Sequence, residues 1–339
     1  MMNVRKIQKT GLSTLTISLP KDWANERGLK AGDSVLVKTL PDGTLSIDPT
    51  MEKKERQSRK TFIIDKSEPE GHLIRKLIGA YLAGHDIIEV KSTERIPLEL
   101  KRTVKEFSRM VIGPEVIEET SDAIVLHDLS DPTELPQQKC VKRMHLIVDS
   151  MHSDAIIAFE SKDASLARDV IDRDFEVDRL YWMVTKQYNM MIEDRNLAER
   201  IGVDAYEGIS YVLLARVLER IGDHAERIAK NTLTAISAKK LTGKNEEIAG
   251  ISSSSLEVLK ESMDAFFVWD IEAANMAIDR GNVLVQECEN LRPKIRASSG
   301  MEAVVKTTVL DSIMRTAMLA MDIAEIAING AMRKREPEI

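Results

Sequence analysis

Ala158-Phe-Glu-Ser-Lys-Asp163, followed by Ile171-Asp-Arg173, returns as Ala265-Phe-Phe-Val-Trp-Asp270, followed by Ile278-Asp-Arg280, 107 residues later. Further along, Arg216, Asp223, Ala225 and Glu226 return as Arg315, Asp322, Ala324 and Glu325, now 99 residues later. Preserved order with two registers eight apart fits a duplicated unit whose second copy has a shorter loop. Between residues 137 and 336 proline occurs only at Pro293, and the other breaks are Asp194-Arg-Asn196 and Gly243 to Ser255. Long helices therefore fill this part. The expected architecture is two similar antiparallel three-helix bundles, over residues 136–240 and 250–336.

Acidic side chains recur at helical spacing in the first copy. Asp174 and Asp178 are four apart and share a face with Ala167, Ile171 and Tyr181, which turns both carboxylates inward. Glu219 and Asp223 repeat that spacing on a face with Gly208, Val212 and Ala215, small or apolar residues that let another helix approach; Glu226 continues the line. Carboxylates gathered at an internal seam repel one another, and burial raises their pKa values unless a cation neutralises them. A hard metal with oxygen ligands answers that problem. The expected ligands are Asp174, Asp178, Glu219 and Asp223. A solvated acidic face, with Arg173, Arg179 and Arg220 in exposed ion pairs, is the plainer alternative. Ferritin-type di-iron chemistry needs Glu-x-x-His, but Ile221 stands three residues before His224. In the second copy Asp174, Asp178 and Glu219 become Gly281, Val285 and Met318, leaving Asp322 alone. One metal site or cluster per chain is expected.

Upstream, residues 61–133 read as a small α/β unit. Strands are expected at Thr61 to Ile64 and Ile87 to Val90, helices at Gly71 to Ala83 and Leu98 to Met110. Val116-Ile117 and Ala123 to Leu126 form a hairpin. His72, His85 and His127 are scattered through it and form no catalytic constellation. Residues 51–60 are a charged tether. Residues 1–50 read as short strands: Ser13 to Leu19 ended by Pro20, a helix from Lys21 to Arg27 closed by Gly28, Val35 to Val37, an Asp42-Gly43 turn, then Leu45 to Ile47. So few strands bury little core, and an intertwined dimer supplies the rest.

The chain has 339 residues, enough for two or three domains. Aromatic residues make up only 4%, and sixteen methionines favour packed helices over a β-sandwich. No apolar run approaches the roughly 20 residues that span a bilayer, and Arg5-Lys6 leads into no signal-peptide core, so no membrane insertion is expected. Cys140 and Cys288 form neither a disulfide framework nor a zinc spacing, which fits the cytoplasm. Residues 1–60 hold 12 Lys and Arg against 7 Asp and Glu, a net of +5 on a chain of net −7. A basic head on an acidic body places any nucleic-acid contact in the head.

Two resemblances sharpen this. Leu15-Thr-Ile-Ser-Leu-Pro-Lys21, Gly28-Leu29, Ala31-Gly-Asp-Ser-Val35 and Asp42-Gly-Thr44 resemble the AbrB/MazE swapped-hairpin fold. The resemblance implies a two-chain barrel with DNA-binding basic residues, here Arg5, Lys6 and Lys9. Asp174-x-x-x-Asp178, Glu219-x-x-x-Asp223 and Arg216-Val-Leu-Glu-Arg-Ile-Gly-Asp-His-Ala-Glu-Arg-Ile-Ala229 resemble the E(D)xxxD motifs and third helix of the PhoU family. That resemblance covers roughly residues 136–336. It implies a metal-binding, non-enzymatic regulator of phosphate uptake, acting with a phosphate ABC transporter or other signalling proteins. The ion would be iron, zinc, manganese or magnesium. A metal-dependent phosphohydrolase and an architectural dimer without metal remain as alternatives; no Gly-rich phosphate loop favours the first.

Overall fold

The computed structural model describes residues 4–39, 43–49, 57–239, 246–296 and 300–333, with only the backbone of 195 and 196. The chain divides into residues 1–57 and 58–339, and each unit is taken by itself. No helix among the described residues is long and apolar enough to cross a membrane.

The head consists of two hairpins and one short helix. Strand β1 (Gln8–Thr10) pairs with β2 (Thr14–Thr16) through a turn at Gly11, whose φ is 68°. Helix α1 (Lys21–Glu26) has Arg27 as its C-cap, and Gly28 follows with φ 68°. Strands β3 (Leu36–Thr39) and β4 (Leu45–Asp48) form the second hairpin. Asp42 of the expected turn lies outside the described residues. The first hairpin was not expected, because Gln8 to Thr10 lacks alternation. No described head residue is buried, and Leu15, Leu36, Val37 and Leu45 are all exposed.

The second unit begins with a mixed four-stranded sheet in the order β5-β6-β8-β7. Strand β5 (Arg59–Ile64) runs parallel to β6 (Ile87–Ser92), through helix α2 (Glu70–Leu82). Helix α3 (Leu98–Met110) leads to the hairpin of β7 (Pro114–Glu119) and β8 (Ala123–Asp128). Arg59 and Lys60 belong to β5, so the expected tether ends earlier than residue 60. Leu73, Leu77 and Tyr81 on α2 and Val104 and Phe107 on α3 pack onto Ile88, Val90, Ile124 and Leu126.

The helical body follows. Helices α4 (Gln137–Ser161), α5 (Ala164–Glu193) and α7 (Ala205–Ser237) make the first bundle; α8 (Glu246–Val268), α9 (Ile271–Arg296) and α10 (Met301–Ala331) make the second. A short helix α6 (Arg195–Ile201) occupies part of the expected break. The two bundles meet mainly along α7 and α10, with a smaller contact of α4 and α8, and share one apolar core.

The quoted repeat is the hinge of each bundle. Lys162 and Trp269, at equivalent positions, both adopt left-handed backbone, φ 61° and 56°. The next residue caps the following helix: Asp163 accepts from the backbone N–H of Ser165 and Leu166, and Asp270 from Ala273. Arg173 then reaches back to Ser150 and Asp154 on α4, as Arg280 does to Glu257 and Glu261 on α8.

Two expected breaks are corrected. Gly243 to Ser255 is not a single loop, because α8 already starts at Glu246. Three of the four serines from Ser252 to Ser255 have partners for their hydroxyls within the helix or on its neighbours: Ser252 meets His152 at 3.3 Å, Ser253 donates to the carbonyl of Ala249, and Ser255 donates to that of Ile313. Pro293 lies inside α9, which runs on to Arg296.

The α/β unit is seated on α5. Lys186 of α5 is fully buried against Asp128, with its ammonium 4.8 Å from the ring centre of Tyr81. Asn189 donates to the carbonyl of Leu82, and the Tyr81 hydroxyl to that of Ile112.

A candidate carboxylate centre between two helices

Helices α5 and α7 lie side by side, and Gly222 sets their approach. A Cβ there would stand 3.3 Å from Oδ1 of Asp174, beside Val177 and Val148. Asp174 is thus pressed over the α7 backbone, where its Oδ1 is buried with no hydrogen-bond partner. Asp178 follows one turn later. Across from them stand Glu219, whose Oε2 is also buried and unpartnered, and the more exposed Asp223.

Burial and mutual repulsion raise all four. Burial, then Asp178, Glu226, Asp223 and Glu219, pushes Asp174 up to about 7. Burial, then Asp223 and Glu226, takes Asp178 to about 6. Glu219 and Asp223 are raised for the same two reasons, tempered by Arg216. That arginine is the seam's main cation, 3.3 Å from Glu219 Oε1. Arg173 instead pairs with Asp154 and Asp169, and Arg179 donates to the carbonyl of Val111. Four acids of raised pKa facing one seam are the donor set a hard cation takes. Among the described residues, however, no three Asp, Glu, His or Cys side chains are drawn tightly enough to hold an ion as they stand.

The second bundle replaces this arrangement in a complementary way. The position of Asp174 becomes Gly281 and that of Gly222 becomes Met321. The Met321 side chain lies against Gly281, where a Cβ would collide with it. Side chain and gap have changed helices, and an apolar thioether fills the volume. Asp322 is not isolated there: burial and Glu325 raise it, while Arg220 lowers it.

The sequence marks His224 as the histidine near the acidic pairs but gives no sign of a second one, His152, at the junction of the bundles. His152 of α4 is fully buried beside Ser252, with Nε2 unpartnered. Burial and nearby His224 lower it to about 4. Only the packing of α8 on α4 reveals this.

Arg5, Lys6 and Lys9 are all exposed, the first two ahead of β1 and Lys9 on it.

Residues 141–232 match the family described as PhoU domain, and residues 8–56 match Antidote-toxin recognition MazE, bacterial antitoxin. The chain is 23% identical over 176 residues to a phosphate-specific transport system accessory protein PhoU homolog of Xylella fastidiosa. That match covers 51% of this chain and 65% of the relative, so the chain spans just under two thirds of that protein's length. A PhoU homolog 1 of Methanothermobacter thermautotrophicus is 27% identical over 221 residues, 61% of this chain and 90% of its own. The crystal structure of PhoU from Pseudomonas aeruginosa superposes with a TM-score of 0.52 at 20% identity, covering 58% of this chain and 95% of the other. The chain therefore carries a PhoU domain behind a MazE-like head, and its helical body has the PhoU fold.

Proposed function

We propose that this chain is a non-enzymatic regulator of phosphate uptake whose PhoU domain binds a cation at the α5–α7 seam. The observation that carries the reading is the set of raised, partly unpartnered carboxylates inside the stretch matching the PhoU domain. The relatives' description as transport-system accessory proteins supports a role at a phosphate ABC transporter. Asp174, Asp178, Glu219 and Asp223 would hold the ion, one of iron, zinc, manganese or magnesium. It would supply positive charge that relieves their repulsion. The MazE-like match and the coreless head support a homodimer through residues 1–50, with Arg5, Lys6 and Lys9 meeting DNA phosphates.

Metal analysis of purified wild type and Asp178→Asn tests the seam. We expect at least one equivalent in wild type and a clear loss in the variant, with unchanged helix content; equal metal in both proteins would overturn it. Deleting residues 1–50 should lower the solution mass toward a monomer. An undiminished oligomer would assign association to the body. Association with DNA fragments should weaken steeply with salt, by a log–log slope of about −0.9 per phosphate contact, and vanish when Arg5, Lys6 and Lys9 are all replaced by Ala. Hydrolysis of a generic phosphoester on metal addition, abolished in Asp178→Asn, would favour the phosphohydrolase instead.

A further inference from the structure

The small α/β unit has so far only a place in the fold. Where it meets the helical body, α3, β7 and α5 enclose an open groove of about 590 Å³. Lys105, Ser108 and Arg109 come from α3, Glu115 from β7, and Phe175 and Arg179 from α5. Three cationic side chains face one carboxylate. Lys105 is engaged by Glu119 at 2.7 Å. The guanidinium of Arg109 has no ion pair or hydrogen bond among the described residues. Arg179 gives one N–H to the carbonyl of Val111 and keeps its Nε–H buried and unmet. Its guanidinium also lies 5.8 Å from the ring centre of Phe175, which is 42% exposed.

We propose that this groove binds a phosphorylated small molecule carrying a planar ring, of the nucleotide class. Guanidinium forks match phosphate oxygens in charge and geometry, so Arg109 and Arg179 set the anion. The volume falls within the range of about 300–1,000 Å³ typical of small-molecule sites and is generous for inorganic phosphate alone. The exposed Phe175 face offers a stacking surface for a ring, and Glu115 an acceptor for ring or sugar donors. Phe175 and Arg179 each follow an acid of the seam, Asp174 and Asp178, by one residue on the same helix. One helix thus presents the groove on one face and the carboxylates on the next, about 100° round.

Titration calorimetry of the full chain with ATP, AMP, adenosine and inorganic phosphate, all in EDTA, tests this without involving the seam's cation. AMP or ATP should bind saturably, inorganic phosphate more weakly, and adenosine not at all. Arg109→Ala should weaken nucleotide at least about tenfold, as loss of a charge-assisted contact does. Phe175→Leu should weaken nucleotide and spare inorganic phosphate. Arg102→Ala, exposed on the same helix outside the groove, should change nothing. No saturable nucleotide binding at millimolar concentration would overturn the site, as would an Arg109→Ala titration matching wild type. Equal affinity for AMP and inorganic phosphate, with Phe175→Leu indifferent, would overturn the nucleotide assignment.

Discussion

Asp174 and His152 respond to pH in opposite senses. Asp174 titrates near 7 in the folded chain against an ordinary 3.8, so between those values the folded state holds more protons than the unfolded. Stability from this group is present in acid and lost as pH rises through about 7. With chelator present, Asp174→Asn should therefore melt about 2–4 °C above wild type at pH 8, for roughly 1 kcal/mol of relieved repulsion, and level with it at pH 4. A gap that persists at pH 4 would assign the effect to packing. His152, lowered from 6.5 to about 4, behaves oppositely: its contribution is present above 6.5 and lost as pH falls toward 4. His152→Gln should flatten that acid limb in a melting series. Gly281 and Met321 offer a test of coupling. Gly281→Asp alone forces Met321 aside, whereas Gly281→Asp with Met321→Gly recreates the Asp174–Gly222 arrangement with the helices in the same roles. The double variant should be less destabilised than the two single changes together, by about 0.5–3 kcal/mol in a double-mutant cycle.

The helix junctions show why the duplication was legible. Asp163 and Asp270 recur because capping needs a short side-chain acceptor at a fixed place, so Asp163→Ala and Asp270→Ala should each cost about 1 kcal/mol in chemical denaturation. The left-handed residue before each cap is a different matter. Lys162→Gly should stabilise slightly, relieving a conformation that costs an L-residue roughly 1–2 kcal/mol. Trp269→Gly should destabilise, because that indole packs on Phe266 at 4.9 Å between centroids and closes over Gly330. Equal responses would mean that backbone strain outweighs the indole's packing. Helix-length features were readable because periodicity, caps and Pro/Gly punctuation act locally. The serine-bearing start of α8 was not, since its hydroxyl partners lie on other helices, and Pro293 misled because a single proline can be accommodated within a helix.

Across the whole molecule, the seam's four acids could be named from spacing, while the body's grip on the α/β unit could not. Lys186 and Asp128 are 58 residues apart, and nothing local marks either as buried. Removing one partner strands the other's charge, so Lys186→Met should cost about 3–5 kcal/mol. The loss should appear as faster hydrogen exchange in α2 and β8, with α9 and α10 little changed. Uniform loosening would show the two parts melting as one. The groove is not legible in the sequence for a related reason: its two arginines, Arg109 and Arg179, come from helices 70 residues apart in the chain. The exchange of Asp174–Gly222 for Gly281–Met321 has a practical consequence for spectroscopy. Each chain contains a bundle with four seam carboxylates and a twin that keeps only Asp322 at the matching positions, at equal concentration, temperature and pH. Any ion or chelator titration can be referenced from the resonances of α5 and α7 to those of α9 and α10 in the same tube, and a signal that moves in both halves can be subtracted as background.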